Sequence, residues 1–286
     1  MKYSGFAYLL LMIASLCACA GSGISEPQKP LLVVEGWIED GDFPVVLLTK
    51  TMPITGEMQQ VDFEDLDYLV RYAKVTVSDG ENSVVLTGKY DAGYMPPYIY
   101  TSSHLRGRAG KTYWLTVEYD DYHATGVTTI PPRAELDTFK IELRGQQDSL
   151  YQITACFTDN PSEKNYYQFF TRVGTKSKQF MASYLGSIDD EVLNGYTEVP
   201  VYAAHQLMKY EYSPYFSVKD TVTVKFAQVD EVSFRFWDEY TKSQSTAGNV
   251  FFATSSSVAG NIKGGMGYWC GYGSTNYYFV SRSNAK

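Results

Sequence analysis

Four cysteines and three histidines in 286 residues leave little for a metal cluster or a disulfide framework, and two of those cysteines fall within the first twenty positions. Charge is also scarce, with Asp, Glu, Lys and Arg making up 20% of the chain against the ~25% usual in soluble domains. The charge present leans acidic, 24 basic against 32 acidic residues for a net −8, which repels phosphate backbones and lacks the basic stripe that nucleic-acid binding requires. No run approaches the ~18 apolar residues of a helical membrane span. Aromatic residues, by contrast, are plentiful: Tyr 25, Phe 15 and Trp 4. That content supports sizeable cores and excludes disorder as a general description.

Lys2 followed by the mostly apolar Phe6 to Leu16 has the form of a secretory signal, too short to cross a bilayer. It ends in Leu16-Cys17-Ala18-Cys19, which looks like a bacterial lipobox with Leu three before the acceptor and a small residue directly before it. Cys19 is therefore the expected lipid attachment, with residues 1–18 removed as signal peptide and residues 19–30, small, polar and proline-containing, serving as a tether. Cys17 is a worse acceptor because Leu16 precedes it directly. The alternative is an ordinary secretory cleavage near Ala18 or Ala20. Lipidation at Cys19 gives the two-chain anchoring that holds stably to a membrane.

From Leu31 onward, short runs rich in Val, Ile, Thr and Tyr alternate with turn residues. Strands are expected at Leu31–Ile38, Phe43–Thr51, Tyr72–Ser78, Ser83–Tyr90, Tyr98–Ser102, Thr112–Tyr119 and His123–Ile130, with Asp40-Gly41, Asp79-Gly80 and Ala109-Gly110 as turns. Seven strands in this length suggest an immunoglobulin-like β-sandwich over residues 31–132. In Thr112–Tyr119 the alternation predicts Tyr113, Leu115 and Val117 on the core side. Pro131-Pro132 stops the ladder and marks the expected boundary. A second β-rich domain with one helix is expected over 133–286, with strands at Thr138–Leu143, Leu150–Thr158, Tyr166–Val173, Gln179–Leu185 and Asp220–Gln228. Val229, Val232, Phe236 and Tyr240 recur at helical spacing, with Asp230 as N-cap toward Ser233 and Trp237 beside the stripe. The fold class expected is mainly β.

Catalytic motifs are sparse. No Gly-x-Ser-x-Gly occurs, and His104, His123 and His205 lack zinc-protease spacing. Ser283-x-x-Lys286 lies at the extreme C-terminus, and Gly110-Lys111-Thr112 lacks the first glycine of a phosphate loop and sits between strands. The acidic clusters Asp62, Glu64, Asp65, Asp67 and Asp189-Asp190-Glu191 follow no calcium-loop spacing and read as solvated loops. Paired carboxylates for glycoside cleavage remain open, since their separation is spatial. No catalytic residue, metal or cofactor is assigned. The densest feature is a glycine-aromatic block from Gly260 to Tyr278, which fails as a dinucleotide site because Cys270 stands at the third glycine. It reads either as strand glycines covered by aromatics or as a recognition surface of Tyr268, Trp269 and Tyr272. Cys156 and Cys270, the thiols left after lipidation, either pair or pack as free buried cysteines.

Several segments in order, Leu32-Val-Val-Glu-Gly-Trp-Ile38, Pro44 to Thr49, Gly110 to Val117, Ala124 to Pro131, Phe157-Thr-Asp-Asn-Pro161 with Asn165-Tyr166-Tyr167, and Asn261 to Tyr272, resemble a Bacteroidota lipoprotein family catalogued as domain of unknown function 4249. The resemblance covers most of the mature chain and implies an outer-membrane lipoprotein, often encoded beside a TonB-dependent transporter. It carries over no catalytic residue. Asn165, Tyr166, Tyr167, Gly264, Gly265 and Gly267 stand in it as signatures of structure. The expected function is accordingly a non-enzymatic, lipid-anchored accessory protein that binds a TonB-dependent transporter and its peptide or glycan cargo. A surface enzyme acting on glycans or peptides, and a structural or adhesin subunit, are the alternatives.

Overall fold

A computed structural model of the protein describes residues 29–51, 68–146, 149–193, 195–204, 212–246 and 260–280. The strands are β1 (Leu32–Glu39), β2 (Val45–Lys50), β3 (Lys74–Ser78), β4 (Ser83–Val85), β5 (Thr87–Tyr90), β6 (Tyr98–Thr101), β7 (Thr112–Tyr119) and β8 (Tyr122–Thr129) in the first half. The second half holds β9 (Thr138–Arg144), β10 (Leu150–Thr158), β11 (Tyr166–Val173), β12 (Met181–Asp189), β13 (Tyr196–Val201), β14 (Phe216–Ser217), β15 (Val222–Val229), helix α1 (Glu231–Thr246) and β16 (Met266–Phe279). The protein is mainly β, as expected, and its sheets pack face to face.

The central sheet has eight strands in the order β12-β11-β15-β16-β1-β2-β6-β5. A four-stranded sheet, β4-β3-β7-β8, covers one end of it, and β9, β10, β13 and β14 form a second cover at the other end. The chain does change sheets at Pro131-Pro132, yet Leu31–Lys286 form one compact unit. The reason is β1, which pairs in parallel with β16 from Val33↔Met266 to Glu39↔Tyr272, so the central sheet runs through both halves of the sequence. The sandwich expected over residues 31–132 is thus completed by a strand from the far end of the chain.

Local chemistry explains most elements. Tyr113, Leu115 and Val117 are buried as their alternation predicts, while Trp114 on the opposite side is exposed. Asp230 caps α1 by accepting from the Ser233 N–H at 2.8 Å. Of the expected stripe, Val229 and Phe236 are buried and Tyr240 packs against the core, but Val232 is 49% exposed; the buried positions of the helix are Ser233, Phe236, Trp237 and Thr241. These follow i, i+3, i+4, i+8 spacing, and the large Trp237 and Phe236 rings set the orientation. The run Ser83–Tyr90 is two strands, because Leu86 turns into the core and the chain crosses there from β3's sheet to β6's. β13 escaped sequence detection because Pro200 interrupts it, which is tolerated where a strand needs bonds on one side only.

Trp269 sits at the centre of the first core, fully buried, with its indole N–H donating to the Tyr113 carbonyl at 3.1 Å. Gly36 and Gly126 make room for it, since a Cβ at either would stand 2.8 and 2.9 Å from Trp269 atoms. We expect Trp269→Ala to cost about 3–5 kcal/mol in denaturant unfolding, while Tyr278→Ala, at a residue 66% exposed, stays within about 0.5 kcal/mol.

Candidate functional site

Strand alternation divides the central sheet into two chemistries. Along β1 the even positions Leu32, Val34 and Ile38 enter the first core, and the odd positions Glu35, Trp37 and Glu39 face the other way. Along β16, Tyr268, Cys270 and Tyr272 share that second face. So do Arg172 of β11 and Lys225 of β15. Helix α1 covers part of this face through Phe236 and Trp237, and beside it lies a cavity of about 240 Å³. Charged residues in strand interiors, on one face of a central sheet, form its floor.

Lys225 and Glu39 make a buried ion pair across β16. The Ser274 hydroxyl donates to the second Glu39 oxygen at 2.7 Å, and the Lys225 ammonium lies 4.2 Å from the Phe180 ring centroid. Glu35 meets no cation among the described residues. Its Oε1 accepts from the Tyr268 hydroxyl and the Gln179 amide, each at 2.8 Å. Desolvation is the main influence on Glu35 and raises its carboxyl above the ordinary range against those two hydrogen bonds. Burial likewise pushes Tyr268 and Tyr272 well above the usual phenol range.

Two loops close over the cavity. Lys178 pairs with Asp91 at 2.8 Å and donates its backbone N–H to the Gly93 carbonyl at 2.7 Å. The Met95 N–H donates to the Gln179 side-chain oxygen at 3.1 Å, so Gln179 joins the loop to Glu35. Tyr94 rests against Trp37 with ring centroids 6.1 Å apart. Its hydroxyl is pushed up to about 12, chiefly by burial.

The residues expected at the site separate. Tyr268 and Tyr272 line the cavity as its buried wall, whereas Trp269 points to the opposite face. The three are not an exposed recognition surface, because consecutive strand residues alternate sides and both sides of β16 are covered. Asn165 and Tyr167 border a second hollow of about 220 Å³, but their polar atoms are already engaged. Asn165 donates to the Glu163 carbonyl at 3.1 Å and accepts from Gln228 at 2.5 Å, and the Tyr167 hydroxyl donates to Asp159 at 2.7 Å. Tyr166 faces the helix, 5.0 Å from Phe234. Gly264 and Gly267 adopt positive φ, and Gly265 abuts the Leu32 carbonyl, which a Cβ would approach to 2.7 Å.

Cys156 and Cys270 are both free and buried, one on β10 and one on β16, so no disulfide joins these sheets. Burial pushes the Cys270 thiol up to about 12, making it an inert packing group. Asp189 and Asp190 hold local backbone, accepting from the Glu191 and Asn165 N–H groups. Cys19, His205 and the cluster from Asp62 to Asp67 lie outside the described residues. Glu35, Glu39, Arg172 and Lys225 were missed in the sequence. The signal for them was the pattern Glu35-x-Trp37-x-Glu39, a charge period of four on one face of an otherwise apolar strand.

A family model described as Domain of unknown function (DUF4249) matches residues 23–277. No curated protein matches the chain.

Glu35 ionises less readily in the fold than in the unfolded chain. Its contribution to stability is therefore fully present below the unfolded carboxyl range and declines as pH rises through the folded value. We expect Glu35→Gln to melt at a higher temperature than the wild type at pH 8, with the difference closing toward pH 4. Lys225→Met, which leaves Glu39 buried without its partner, is expected to cost about 3–5 kcal/mol, and adding Glu39→Leu to recover much of it; chemical denaturation of the three variants checks this.

Proposed function

Because the chain belongs to the DUF4249 family, we propose that it is a lipid-anchored binding protein of the outer membrane that captures a small polar ligand for a TonB-dependent transporter. The cavity carries this reading. Buried charges on a sheet face are costly unless they are paired or used, and here Glu39 and Lys225 are buried with the half-buried Glu35 and Arg172 beside them, where aliphatic side chains would have filled the space more stably. Aromatic walls with a few fixed polar groups are the usual composition of ligand sites. The lipobox ending at Cys19 and the tether after it support the membrane attachment. Among the described residues no helix is long and apolar enough to cross a membrane.

A paired-carboxylate hydrolase fits the same cavity less well. Glu35 and Glu39 are four positions apart on one strand, roughly 13 Å between backbones, and their carboxyls are held by different partners, Tyr268 and Gln179 for one and Lys225 and Ser274 for the other. Glu39 is moreover neutralised by Lys225. The assembly-subunit reading has one observation in its favour. Every residue of β9 is exposed, with Phe139, Ile141 and Leu143 on one side. Lys140, Glu142 and Arg144 on the other side blunt that edge against strand addition.

Purification of the tagged protein from its native membrane in mild detergent is expected to recover a TonB-dependent transporter in stoichiometric amount by mass spectrometry. Recovery of the protein alone overturns a stable complex. Cys19→Ala is expected to move the protein from the membrane pellet to the soluble fraction.

A further inference from the structure

The cavity holds two ionic groups of opposite sign that have no ionic partner among the described residues. Glu35 meets no cation among the described residues, and both of its hydrogen-bond donors reach the same oxygen, Oε1. Trp37 and Tyr94 stand on the same side of the sheet beside it. Arg172 meets no carboxylate among the described residues. Its guanidinium lies over Phe180, 4.6 Å from the ring centroid, and makes long contacts of 3.5 Å to the Lys178 carbonyl and the Thr223 hydroxyl. Its Nε is buried with no hydrogen-bond partner among the described residues. The other cations of the cavity, Lys225 and Lys178, are each already paired with a carboxylate.

Opposite free charges at two ends of one enclosed space describe a complementary ligand. An ammonium between a carboxylate and aromatic faces gains both Coulombic and cation–π attraction, and a guanidinium with an idle donor edge binds a carboxylate in a forked, bidentate manner. Glu35 lies level with Tyr268 of β16, and Arg172, through Thr223, level with Tyr278, so a loop folded over the sheet is what brings the two charges near each other: the Gln179 amide donates to Glu35, and the carbonyl of the preceding Lys178 accepts from Arg172. That route sets the two charged groups no more than roughly 14 Å apart, which two or three extended residues at about 3.4 Å each, with a hydrogen bond at either end, span. A volume of about 240 Å³ falls below the roughly 300–1,000 Å³ of sites for drug-sized ligands, which suits a ligand of that length and not a long oligosaccharide.

We propose that this cavity binds a short zwitterionic peptide, its free ammonium held by Glu35 beside Trp37 and Tyr94 and its free carboxylate held by Arg172. The proposal rests on the binding-protein reading and specifies its cargo. Entry displaces the Gln179 amide from Glu35 and so loosens the loop closure that Gln179 maintains through Met95.

Isothermal titration of the full-length lipoprotein in mild detergent tests it with Ala-Ala and Ala-Ala-Ala, their N-acetylated and C-amidated forms, free alanine, and the neutral sugar maltose. Binding of the free peptides, weakened at least tenfold by either blocking group, is the expected result, with alanine weaker than the peptides. Glu35→Gln is expected to abolish the discrimination against acetylation while keeping that against amidation, and Arg172→Gln the reverse. Because discrimination is a ratio within one variant, a general loss of stability does not mimic it. Equal binding of blocked and free peptides overturns the proposal, as does an equal loss of all forms in both variants. Maltose binding without peptide binding overturns the zwitterion but leaves the binding-protein reading standing. Binding of none of the probes overturns the proposal, and combined with purification of the protein alone it overturns both.

Discussion

β16 lies against several other backbones at once, and most of the architecture follows from that constraint. On one side a Cβ at Gly271 would meet the Thr129 carbonyl oxygen at 2.8 Å, and one at Gly273 would meet that of Pro132 at 2.2 Å. Only a strand bare on that side lets β8 and the Pro131-Pro132 crossover pass so closely. Two residues before the first of these glycines Trp269 enters the space that Gly36 and Gly126 leave, locked by its amide and carbonyl bonds to the Asn261 side chain at 2.8 and 2.7 Å. On the other side the same strand carries Tyr268, Cys270 and Tyr272, which supply the wall of the cavity and the seat of α1. The first half of β16 pairs with β1 and the second half with β15, so one strand knits two sandwiches into a single sheet.

How much of this was legible in the sequence depended on the range of the interaction. Period-two alternation found the buried face of β7, and a single capping side chain found the start of α1, because each is decided within a few residues. The parallel pairing of β1 with β16 joins residues more than two hundred positions apart, and no local pattern encodes it. The glycine-aromatic block was visible as a feature, but whether its rings faced solvent depended on what the distant β8 and α1 placed over them. The helix stripe failed at one position for the same reason: Val232 fits a generic apolar stripe, but the slot over β11 and β16 accommodates the Trp237 ring, 5.1 Å from Phe170.

The cavity was the least legible part. Glu35 and Glu39 sit inside a segment that looks like an ordinary strand, and Lys225 is one residue in an apolar run. Each alone reads as a charge at a solvent-facing position of a half-exposed strand. They become remarkable only as a group, because the eight-stranded sheet is covered on this face and charges there would be expected to have been replaced. Arg172 belongs with them through Phe180, whose ring lies within 4.6 Å of the Arg172 guanidinium and 4.2 Å of the Lys225 ammonium.

The position of the cavity follows from the stagger of the sheet. Because β1 and β15 flank different halves of β16, the ion pair of Lys225 and Glu39 must reach diagonally across the strand, over Ser274. Helix α1 packs on the half of this face built from β11, β12 and the start of β16, and it ends its coverage at Trp237, whose indole N–H donates to the Tyr272 hydroxyl at 3.1 Å. Past that bond no regular element among the described residues covers this face of the sheet, and the loops around Tyr94 and Lys178 close the space instead. A floor of strands fixes the charged groups, and a roof of loops joined by one ion pair and a few hydrogen bonds is the part of such a structure that opens at least cost. Rigid charges under a separable cover are what a site that captures and then releases its cargo requires.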